Sequence, residues 1–471
     1  MAKKKFYITT TAPYVNADPH IGFALELIQA DALARYKKLI GYNVAFGFGT
    51  DEHGLKIYRK ALEEKKDPQQ YCDENAKKFD RLKKTLKLGV THFIRTTDPN
   101  HIEAAKEFWI RCYKNGDIYK KNYRIKYCVG CELEKTDSEL TEGRCPFHPN
   151  LNIESYEEEN YFFRFSKYQN KLLRFYEKSP DFVVPRYRFN EIKSFVKKGL
   201  QDFSISRLKE KMPWGVDVPG DKDHVMYVWF DALVFYISTL GWPKKLSEYK
   251  KWWPGVQVAG KDNLRQQTAI WQAMLMSAGL PNSKQVFIHG FITSEGQKIS
   301  KSLGNVIDPV ALVKQYGADA VRYYILKEIP SFDDGDFSHS RMKEIYNSDL
   351  ANELGNLASR ITNLASNDIL VFKQQSDQQW NNETIKLFDN FQFNKILENI
   401  WQDIKSLNKS IDDFSPWNKK PIERKVFLLQ SINKLKSIGI RLQPFLPETA
   451  EKIIKASQGK IKKIEQLFPR L

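Results

Sequence analysis

The chain has 471 residues, 42% of them hydrophobic, which is enough material for two to four domains with apolar cores. Its 74 Lys and Arg against 57 Asp and Glu give a net charge of +17, so nucleic acid is the first partner to consider, although a basic surface that serves only solubility explains the charge equally well. No signal peptide follows Met1 and no segment has the roughly 18 uninterrupted apolar residues of a membrane span, so we expect a cytoplasmic protein without membrane contact.

The first predicted elements form a strand–helix–strand unit. Residues 5–11 alternate β-forming side chains, residues 19–39 carry the apolar spacing of a helix, and residues 43–48 are strand-like before a glycine-rich turn. Such a unit is the building block of a parallel sheet.

The start of this helix carries the first candidate functional residues. Asp18 suits the N-cap and Pro19 the first helical position, which places His20 in the first turn. Free backbone N–H groups and the helix dipole favour a bound phosphate there, and Gly22 leaves room for a nucleotide close to the backbone. Taken alone, a histidine two residues before a glycine would more often serve capping or the core.

Three of the five cysteines cluster in the next region. Cys128 and Cys131, then thirteen residues, then Cys145 and His148 give two ligand pairs that each enclose two residues. Three thiolates and one imidazole form a closed set typical of structural Zn²⁺, so we predict one zinc ion per chain. The intervening segment is too polar to be a core, which disfavours three buried cysteines without a metal. The remaining cysteines, expected to be buried hydrophobes on helices, are Cys72 and Cys112.

A second set of strands follows this cluster. Residues 225–230, 256–259 and 285–288 are short apolar runs with helices between them. The two sets are expected to form one parallel sheet, split by an insertion of roughly 115–222, because parallel strands tolerate long crossovers.

A basic motif follows the last of these strands. Lys298 and Lys301 alternate with hydroxyl side chains after a glycine-containing loop at residues 293–297. Two lysines in this spacing can bind a polyphosphate and neutralise charge on a leaving pyrophosphate. A solvated basic loop is the alternative, and it is disfavoured because this motif and that of His20 flank a split nucleotide-binding sheet.

From about residue 340 the strand signals give way to amphipathic helices with breaks near 367–379 and 414–421, which predicts a helical bundle. Asn356 and Arg360, four residues apart, project together from the flank of an apolar stripe. The stripe consists of Leu350, Leu354, Leu357, Ile361 and Leu364.

The motifs of His20 and Lys301 together resemble the HIGH and KMSKS signatures of class I aminoacyl-tRNA synthetases, and the chain is similar to the methionyl-tRNA synthetases over nearly its whole length. Four further segments carry the resemblance: Ala12-Pro13-Tyr14-Val15-Asn16, Gly49-Thr50-Asp51-Glu52-His53-Gly54, Val228-Trp229-Phe230-Asp231-Ala232-Leu233 and Gly260-Lys261-Asp262-Asn263. The resemblance implies attack of the methionine carboxylate on the α-phosphorus of ATP, with Mg²⁺, followed by transfer of the aminoacyl group to tRNA.

The resemblance also implies roles for individual residues. The catalytic residues are His20, Lys298 and Lys301, which also bind ATP together with Gly22, Gly260 and Asp262. Methionine is bound by Ala12, Tyr14, Asp51, Trp229, Ala232, Tyr236, Gln267 and Trp271. The anticodon is read by Asn356, Arg360 and Trp417, through edge hydrogen bonds and stacking. Taken alone, Trp417 would be read as a core residue.

Two positions depart from the family pattern. Phe23 replaces the second histidine of the HIGH motif, so one imidazole near the phosphates is missing. Either another donor compensates or adenylation is slower. Gln267 stands where many relatives have a histidine beside the methionine, and its amide can still donate and accept hydrogen bonds near the sulfur.

We therefore predict an α/β fold with a Rossmann-like parallel sheet and a zinc-bearing insertion, followed by an all-α helical bundle. The expected domains are, in order, residues 1–115 (first catalytic half), 116–222 (connective insertion with the zinc knuckle), 223–290 (second catalytic half), 291–342 (linking domain with the KISKS loop) and 343–471 (anticodon-binding domain). Because the chain ends at Leu471, soon after the helical region, we expect no C-terminal dimerisation module, and hence a monomer without an obligate protein partner.

The predicted function is ATP-dependent ligation of L-methionine to tRNA(Met) through methionyl-adenylate, with release of AMP and pyrophosphate, for translation initiation and elongation. A synthetase for another apolar amino acid is one alternative, although the insertion leaves little room for the large editing domain of those enzymes. A small-metabolite adenylyltransferase would have no use for an RNA-binding helical domain. A zinc-dependent RNA-binding protein derived from a synthetase is the non-enzymatic alternative, which Phe23 keeps open.

Overall fold

The computed structural model describes residues 3–131, 133–135, 139–299, 304–372 and 380–471. The chain divides into two compact units. The first comprises Met1–Asp18, Val44–Arg81 and Val90–Ile288, and the second comprises Pro19–Asn43, Leu82–Gly89 and His289–Leu471. In the described part of the chain, no helix has the length and apolar character needed to cross a membrane.

The secondary structure alternates strands and helices up to residue 345 and is mainly helical beyond it. The strands are β1 (Lys5–Thr9), β2 (Asn43–Thr50), β3 (His92–Arg95), β4 (Ile118–Cys128), β5 (Leu133–Glu134), β6 (Glu154–Phe163), β7 (Val183–Val184), β8 (Phe203–Ser204), β9 (Ser206–Leu208), β10 (His224–Met226), β11 (Val256–Gly260), β12 (Gln285–His289), β13 (Ile292–Ser294), β14 (Gln297–Lys298), β15 (Gly335–Phe337), β16 (Val371–Phe372) and β17 (Gly459–Lys460). The α-helices are α1 (Ile21–Leu39), α2 (Leu55–Glu63), α3 (Pro68–Thr85), α4 (Pro99–Lys114), α5 (Gln169–Lys178), α6 (Arg186–Lys197), α7 (Val228–Ala232), α8 (Phe235–Ser238), α9 (Leu246–Trp252), α10 (Trp271–Ser277), α11 (Pro309–Tyr316), α12 (Ala318–Lys327), α13 (His339–Ile345), α14 (Asn356–Asn367), α15 (Asn382–Asp389), α16 (Phe393–Phe414), α17 (Pro421–Leu442) and α18 (Pro447–Ala456).

A six-stranded sheet forms the centre of the first unit, in the order β3-β2-β1-β11-β12-β7. The strands β1 and β11 are parallel, with Ile8 opposite Val256, so the two halves predicted from the sequence do meet in one sheet. β1 pairs with β2, the next strand along the chain, on one side and with β11 on the other. The chain order therefore changes direction at β1, and the carboxyl ends of strands at such a switch point are the usual ligand site of α/β folds.

The second strand set differs from its prediction in one place. Residues 225–230 were expected to be a strand of the parallel sheet, but β10 ends at Met226 and pairs antiparallel with β9, and α7 begins at Val228. A short apolar run does not distinguish a buried strand from a buried helix, because both present apolar residues at every position. Conversely Val183–Val184, inside the predicted insertion, pairs in parallel with β12 and forms the edge of the sheet.

The insertion is built on a long antiparallel pair. β4 and β6 pair from Ile118 opposite Phe163 to Tyr127 opposite Glu154, and β5 and β8 extend this into a four-stranded sheet. β4 ends at Cys128, so the first predicted metal ligand lies at the tip of this pair.

The second unit contains α1 and the C-terminal helices, confirming the predicted helical region. One small strand pair, β16 with β17, interrupts it. The guanidinium of Arg322 on α12 is fully buried, contacts Asp31 of α1 at 2.7 Å and donates to the main-chain oxygens of Pro444 and Phe445. A buried charge is tolerated when it is paired and hydrogen-bonded, so this contact joins α1 to the C-terminal helices. The predicted domain boundaries stay predictions.

Candidate active site

Two of the candidate methionine residues lie in the segments that follow the carboxyl ends of neighbouring strands. Tyr14 follows β1 and Asp51 follows β2. The Val15 N–H donates to the Asp51 main-chain oxygen at 3.2 Å, and the Asp51 N–H donates to Pro13 at 2.9 Å, so Tyr14 and Asp51 are backbone neighbours. Asp51 is 4% exposed. An aromatic residue and an acidic residue are thus paired through their backbones at the switch point of the sheet.

Four of the other candidate methionine residues belong to, or pack against, two apolar clusters of the first unit. Trp229 packs with Tyr14 against a small cluster around Tyr227, whereas the rings of Tyr236 and Trp271 lie 5.9 Å apart in the main core. Ala12 packs against the same main core and Ala232 is 9% exposed. The structure therefore brings these residues together as Tyr14 with Trp229 and as Tyr236 with Trp271.

Two polar atoms of these aromatics are unsatisfied. The Nε1 atoms of Trp229 and Trp271 are buried, and neither has a hydrogen-bond partner among the described residues. Buried polar groups nearly always find a partner, so such atoms are typical of a place where a ligand or water belongs.

The segment that carries Asp51 is anchored by the residue next to it. The carboxylate of Glu52 is fully buried and accepts two hydrogen bonds from Arg95, both 2.7 Å long. The hydroxyls of Thr50 and Thr97 each donate to it at 2.6 Å. Bidentate, charge-assisted bonds fix geometry strongly, so the turn after β2 is held rigidly.

A second buried network includes His53, two residues after Asp51. Asp231, on α7 between Trp229 and Ala232, is fully buried, and its oxygens lie 2.8 Å from His53 Nδ1 and 2.9 Å from His101 Nε2. Burial raises the pKa of Asp231, but the two imidazoles outweigh it and lower that pKa to about 2. The carboxylate thus ties the turn after β2 to α7 and α4.

The predicted phosphate residues of α1 have a geometry that differs from the expectation. α1 begins at Ile21, and its N-cap is His20, whose Nδ1 accepts from the Gly22 N–H at 3.1 Å. Asp18 does not cap the helix, because its carboxylate pairs with Lys78 at 2.6 Å. A Cβ at Gly22 would lie 2.8 Å from the His20 ring, so this glycine makes room for the imidazole. The ring of Phe23 lies 4.4 Å from that of His20.

Burial lowers the pKa of His20 to about 4, so the imidazole is neutral at neutral pH. Because Nδ1 accepts a hydrogen bond, the proton of the neutral ring lies on Nε2. His20 therefore offers one N–H donor and no net charge.

The base of the KISKS motif is a hairpin and not the loop predicted at 293–297. β13 and β14 pair across a turn at Glu295 and Gly296, and Asp336 fixes this turn by accepting from Thr293 Oγ1 and the Gly296 N–H. The backbone of Lys298 closes the hairpin, and Lys301 lies outside the described residues.

The start of α1 contacts the segment that follows the KISKS motif. The Ile21 N–H, next to His20, donates to the main-chain oxygen of Ile307 at 3.0 Å, a few residues beyond the KISKS motif. In the first unit, Gly260 ends β11 at the carboxyl edge of the sheet, and Asp262 is exposed on the short 3₁₀ helix that follows.

The four predicted metal ligands converge. The ligand atoms of Cys128, Cys131, Cys145 and His148 all lie within 4.8 Å of one another, with His148 Nδ1 facing the three sulfurs at 3.2 to 4.0 Å. Tetrahedral Zn²⁺, with bonds of about 2.3 Å to sulfur, sets its ligands roughly 3.3–3.8 Å apart. A Cβ at Gly130 would lie 2.5 Å from the His148 ring, so this glycine is required for the ring to pack here. The four residues could hold a metal ion.

The candidate anticodon residues lie in the second unit. Asn356 is exposed at the start of α14, and Arg360 pairs with Asp412 of α16 at 2.7 Å. Trp417 is 52% exposed on a short 3₁₀ turn after Ser415, so its interpretation as a core residue is wrong.

Comparison with known proteins identifies the family. A family model described as tRNA synthetases class I (M) matches residues 6–154 and 150–362. The methionine–tRNA ligase of Thermotoga maritima is 44% identical, covering 96% of this chain and 75% of that protein, and the one of Rickettsia felis is 41% identical, covering 100% and 94%. The chain belongs to the methionine–tRNA ligases.

A solved structure agrees with this membership. Methionyl-tRNA synthetase of Mycobacterium tuberculosis in complex with methionyl-adenylate is 36% identical and superimposes with a TM-score of 0.92, over 99% of this chain and 100% of that one. The predicted family, fold class and enzyme class are thus confirmed, and none of the alternative functions is favoured for this methionine–tRNA ligase.

Some residues that hold the site of this ligase had no predicted role. Glu52, His53 and Asp231 lie inside two family motifs, so their position was visible but their buried partners were not. His101 and Arg95 lie in no recognisable motif, and a single histidine or arginine in a helix or strand is usually structural. The sequence therefore did not indicate a role for them.

Proposed function

We propose that this ligase joins L-methionine to tRNA(Met) in two steps. The methionine carboxylate attacks the α-phosphorus of ATP, which forms methionyl-adenylate and releases pyrophosphate; the aminoacyl group then passes to tRNA and AMP leaves. The observation that carries the proposal is the cluster at the switch point, where Asp51, Tyr14 and Trp229 converge on the carboxyl ends of β1 and β2. The product would serve both initiation and elongation.

For the methionine, the proposed contacts combine charge with aromatic surface. The carboxylate of Asp51 binds the ammonium group, and the networks of Glu52 and Asp231 keep that carboxylate in place. Aromatic walls suit the polarisable thioether, and the unsatisfied Trp229 and Trp271 Nε1 atoms support a ligand there. The remaining proposed contacts are Ala12, Ala232, Tyr236 and Gln267.

For ATP, we propose that positioning and charge neutralisation do most of the catalysis, since the nucleophile is already a carboxylate and the leaving group already a phosphate. The neutral His20 donates from Nε2 to a phosphate oxygen. Lys301 stabilises the transition state and Lys298 supports the phosphates. Gly22 gives His20 its space, and Gly260 with Asp262 contacts the adenosine. Mg²⁺ bound to the triphosphate would add positive charge at the phosphates.

For the metal, we propose one structural Zn²⁺ per chain, held by Cys128, Cys131, Cys145 and His148. Three sulfurs and one nitrogen at these separations suit tetrahedral zinc, and they leave no coordination position for a reacting water. The role is therefore to fix the tip of β4.

For tRNA, we propose that Asn356, Arg360 and Trp417 read the CAU anticodon. An indole that is half exposed is suited to stack on an unpaired base. Arg360 is held by Asp412, which pre-orients its guanidinium for a base edge.

The test is ATP–pyrophosphate exchange across all twenty amino acids, followed by aminoacylation of tRNA. We expect exchange with methionine above every other amino acid, and charging of tRNA(Met) only. Exchange with leucine, isoleucine or valine in preference to methionine would contradict the assignment of the pocket. Absence of exchange with every amino acid would favour the RNA-binding alternative.

A further inference from the structure

Gln267 is the end of a chain of buried polar side chains in the first unit. Its members are Gln257 on β11, Gln267, Gln272 on α10, and Ser283 before β12, and all are at most 3% exposed. Gln267 precedes Trp271 by about one helical turn, and Trp271 lies against Tyr236.

Two backbone groups fix the donor-to-acceptor direction of this chain of hydrogen bonds. The Ser283 N–H can only donate, and it lies 3.0 Å from Gln272 Oε1. The main-chain oxygen of Gln267 can only accept, and it lies 2.8 Å from Gln272 Nε2. Either contact alone would orient the Gln272 amide, and both agree, so the assignment of its oxygen and nitrogen is unambiguous.

The direction then propagates from bond to bond. Gln272 Nε2 donates to Ser283 Oγ at 3.0 Å. Ser283 Oγ in turn lies 2.6 Å from the Gln257 amide, a length typical of an O–H···O bond and short for an N–H···O bond, so the hydroxyl donates to Gln257 Oε1. This leaves Gln257 Nε2 to donate to Gln267 Oε1 at 3.1 Å. Among the described residues no acceptor is bonded to Gln267 Nε2, so this group still has hydrogens to donate.

We propose that this chain sets the Gln267 amide so that its N–H group points at the sulfur of methionine, and that it thereby selects a thioether over a methylene group. The proposal rests on the proposed function, which assigns residue 267 to the methionine pocket. A thioether sulfur only accepts hydrogen bonds, so it requires a donor, and the opposite amide orientation would present an oxygen lone pair to it. Gln257 is a positioning residue in this scheme, and Ser283 orients Gln257.

The experiment compares L-methionine with L-norleucine, which replaces the sulfur by CH₂, in ATP–pyrophosphate exchange. The readout is the ratio of kcat/KM for the two amino acids in one preparation, because partial unfolding lowers both rates and cancels in the ratio. In Gln267→Leu we expect the ratio to fall about fivefold, the value of one modest hydrogen bond. In Gln257→Leu it should fall in the same direction, because the Gln267 amide can then rotate. Gln257→His, whose imidazole can accept from Ser283 and donate to Gln267, should keep the ratio.

Ser277→Ala is the matched control, since Ser277 lies on α10 and loses a buried hydrogen bond to Asp117 without touching the chain. Its ratio should equal that of the wild type. A wild-type ratio in Gln267→Leu would overturn the proposal, and a fall in Gln267→Leu without one in Gln257→Leu would overturn the positioning role. If wild-type protein showed no methionine-dependent exchange at all, the proposed function itself would fail, which is a distinct result.

Discussion

At the scale of single residues, His20 combines a cap with a chemical group. Its Nδ1 satisfies the Gly22 N–H at the start of α1, which leaves the opposite edge of the ring as a donor. The same burial that positions the ring keeps it uncharged. The fold therefore favours the neutral imidazole over the charged one, and the stability of the folded protein depends on pH for this reason.

Replacing His20 by Asn should reduce the acid sensitivity of the protein. The folded pKa of about 4 lies below the ordinary value of 6.5, so the unfolded chain binds more protons between these values and stability is lost as the pH falls from about 6.5 to 4. Asn can still cap α1 but cannot titrate. We expect the fall in Tm between pH 7 and 5 to be smaller in His20→Asn than in wild type, with the exposed His339→Asn as control. Equal falls in wild type and His20→Asn would contradict this.

Phe23 also acts on His20, because its ring lies 4.4 Å from the imidazole. We expect Phe23→His to slow ATP–pyrophosphate exchange, since a polar ring would replace the apolar contact against which His20 packs. Phe23→Leu, which keeps an apolar side chain, should retain more activity. Faster exchange in Phe23→His would instead mean that the phosphate site lacks a donor.

At the scale of elements, Asp231 joins the turn after β2 to α7, and both carry proposed methionine contacts. Asp231→Asn replaces one acceptor oxygen by a donor, and one of the two imidazole bonds is lost or reversed. We expect KM for methionine to rise about tenfold while KM for ATP changes little, measured by exchange. Asp117→Asn is the matched control, because Asp117 is equally buried in the first unit but bonds to Lys167 and Ser277. It should lower Tm without a selective effect on methionine, and the same selective effect in both variants would contradict a positioning role for Asp231.

The metal cluster is an element in its own right, since it closes the end of β4. We expect purified protein to contain about one zinc per chain, and Cys145→Ser to reduce this to near zero and to expose the insertion to limited proteolysis. Cys72→Ser is the control, because Cys72 is buried outside the cluster and should not change the metal content. Metal-free wild-type protein prepared without chelators would contradict the zinc site.

At the scale of the whole molecule, the two reaction steps should separate. Trp417→Ala removes a proposed stacking contact worth roughly 1–3 kcal/mol, so aminoacylation of tRNA(Met) should fall about tenfold or more while ATP–pyrophosphate exchange stays near wild type. Exposed Ile422, on α17, offers the control Ile422→Ala, which should leave both steps intact. A parallel loss of both steps in Trp417→Ala, with a lower Tm, would mean that Trp417 supports the fold instead.

Features that depend on local order were predictable from the amino-acid sequence. The convergence of the four candidate metal ligands, the two motifs of the family and the split parallel sheet were predictable, because ligand spacing, glycine position and apolar runs are visible along the sequence. Helix α1 was predicted to within two residues of its start, and the error has a physical cause: Asp18 suits a cap by type, but its carboxylate is bonded to Lys78, sixty residues later.

The partners of the buried side chains, in contrast, depend on how distant segments pack together. Residues 228–230 are helical although they look like a strand, Trp417 is exposed although a lone tryptophan suggests a core, and the partners of Asp231 and Gln267 come from distant parts of the chain. Burial, hydrogen-bond direction and the pKa of a buried group are set by neighbours that the fold supplies. These neighbours are far apart in sequence, so no local pattern records them.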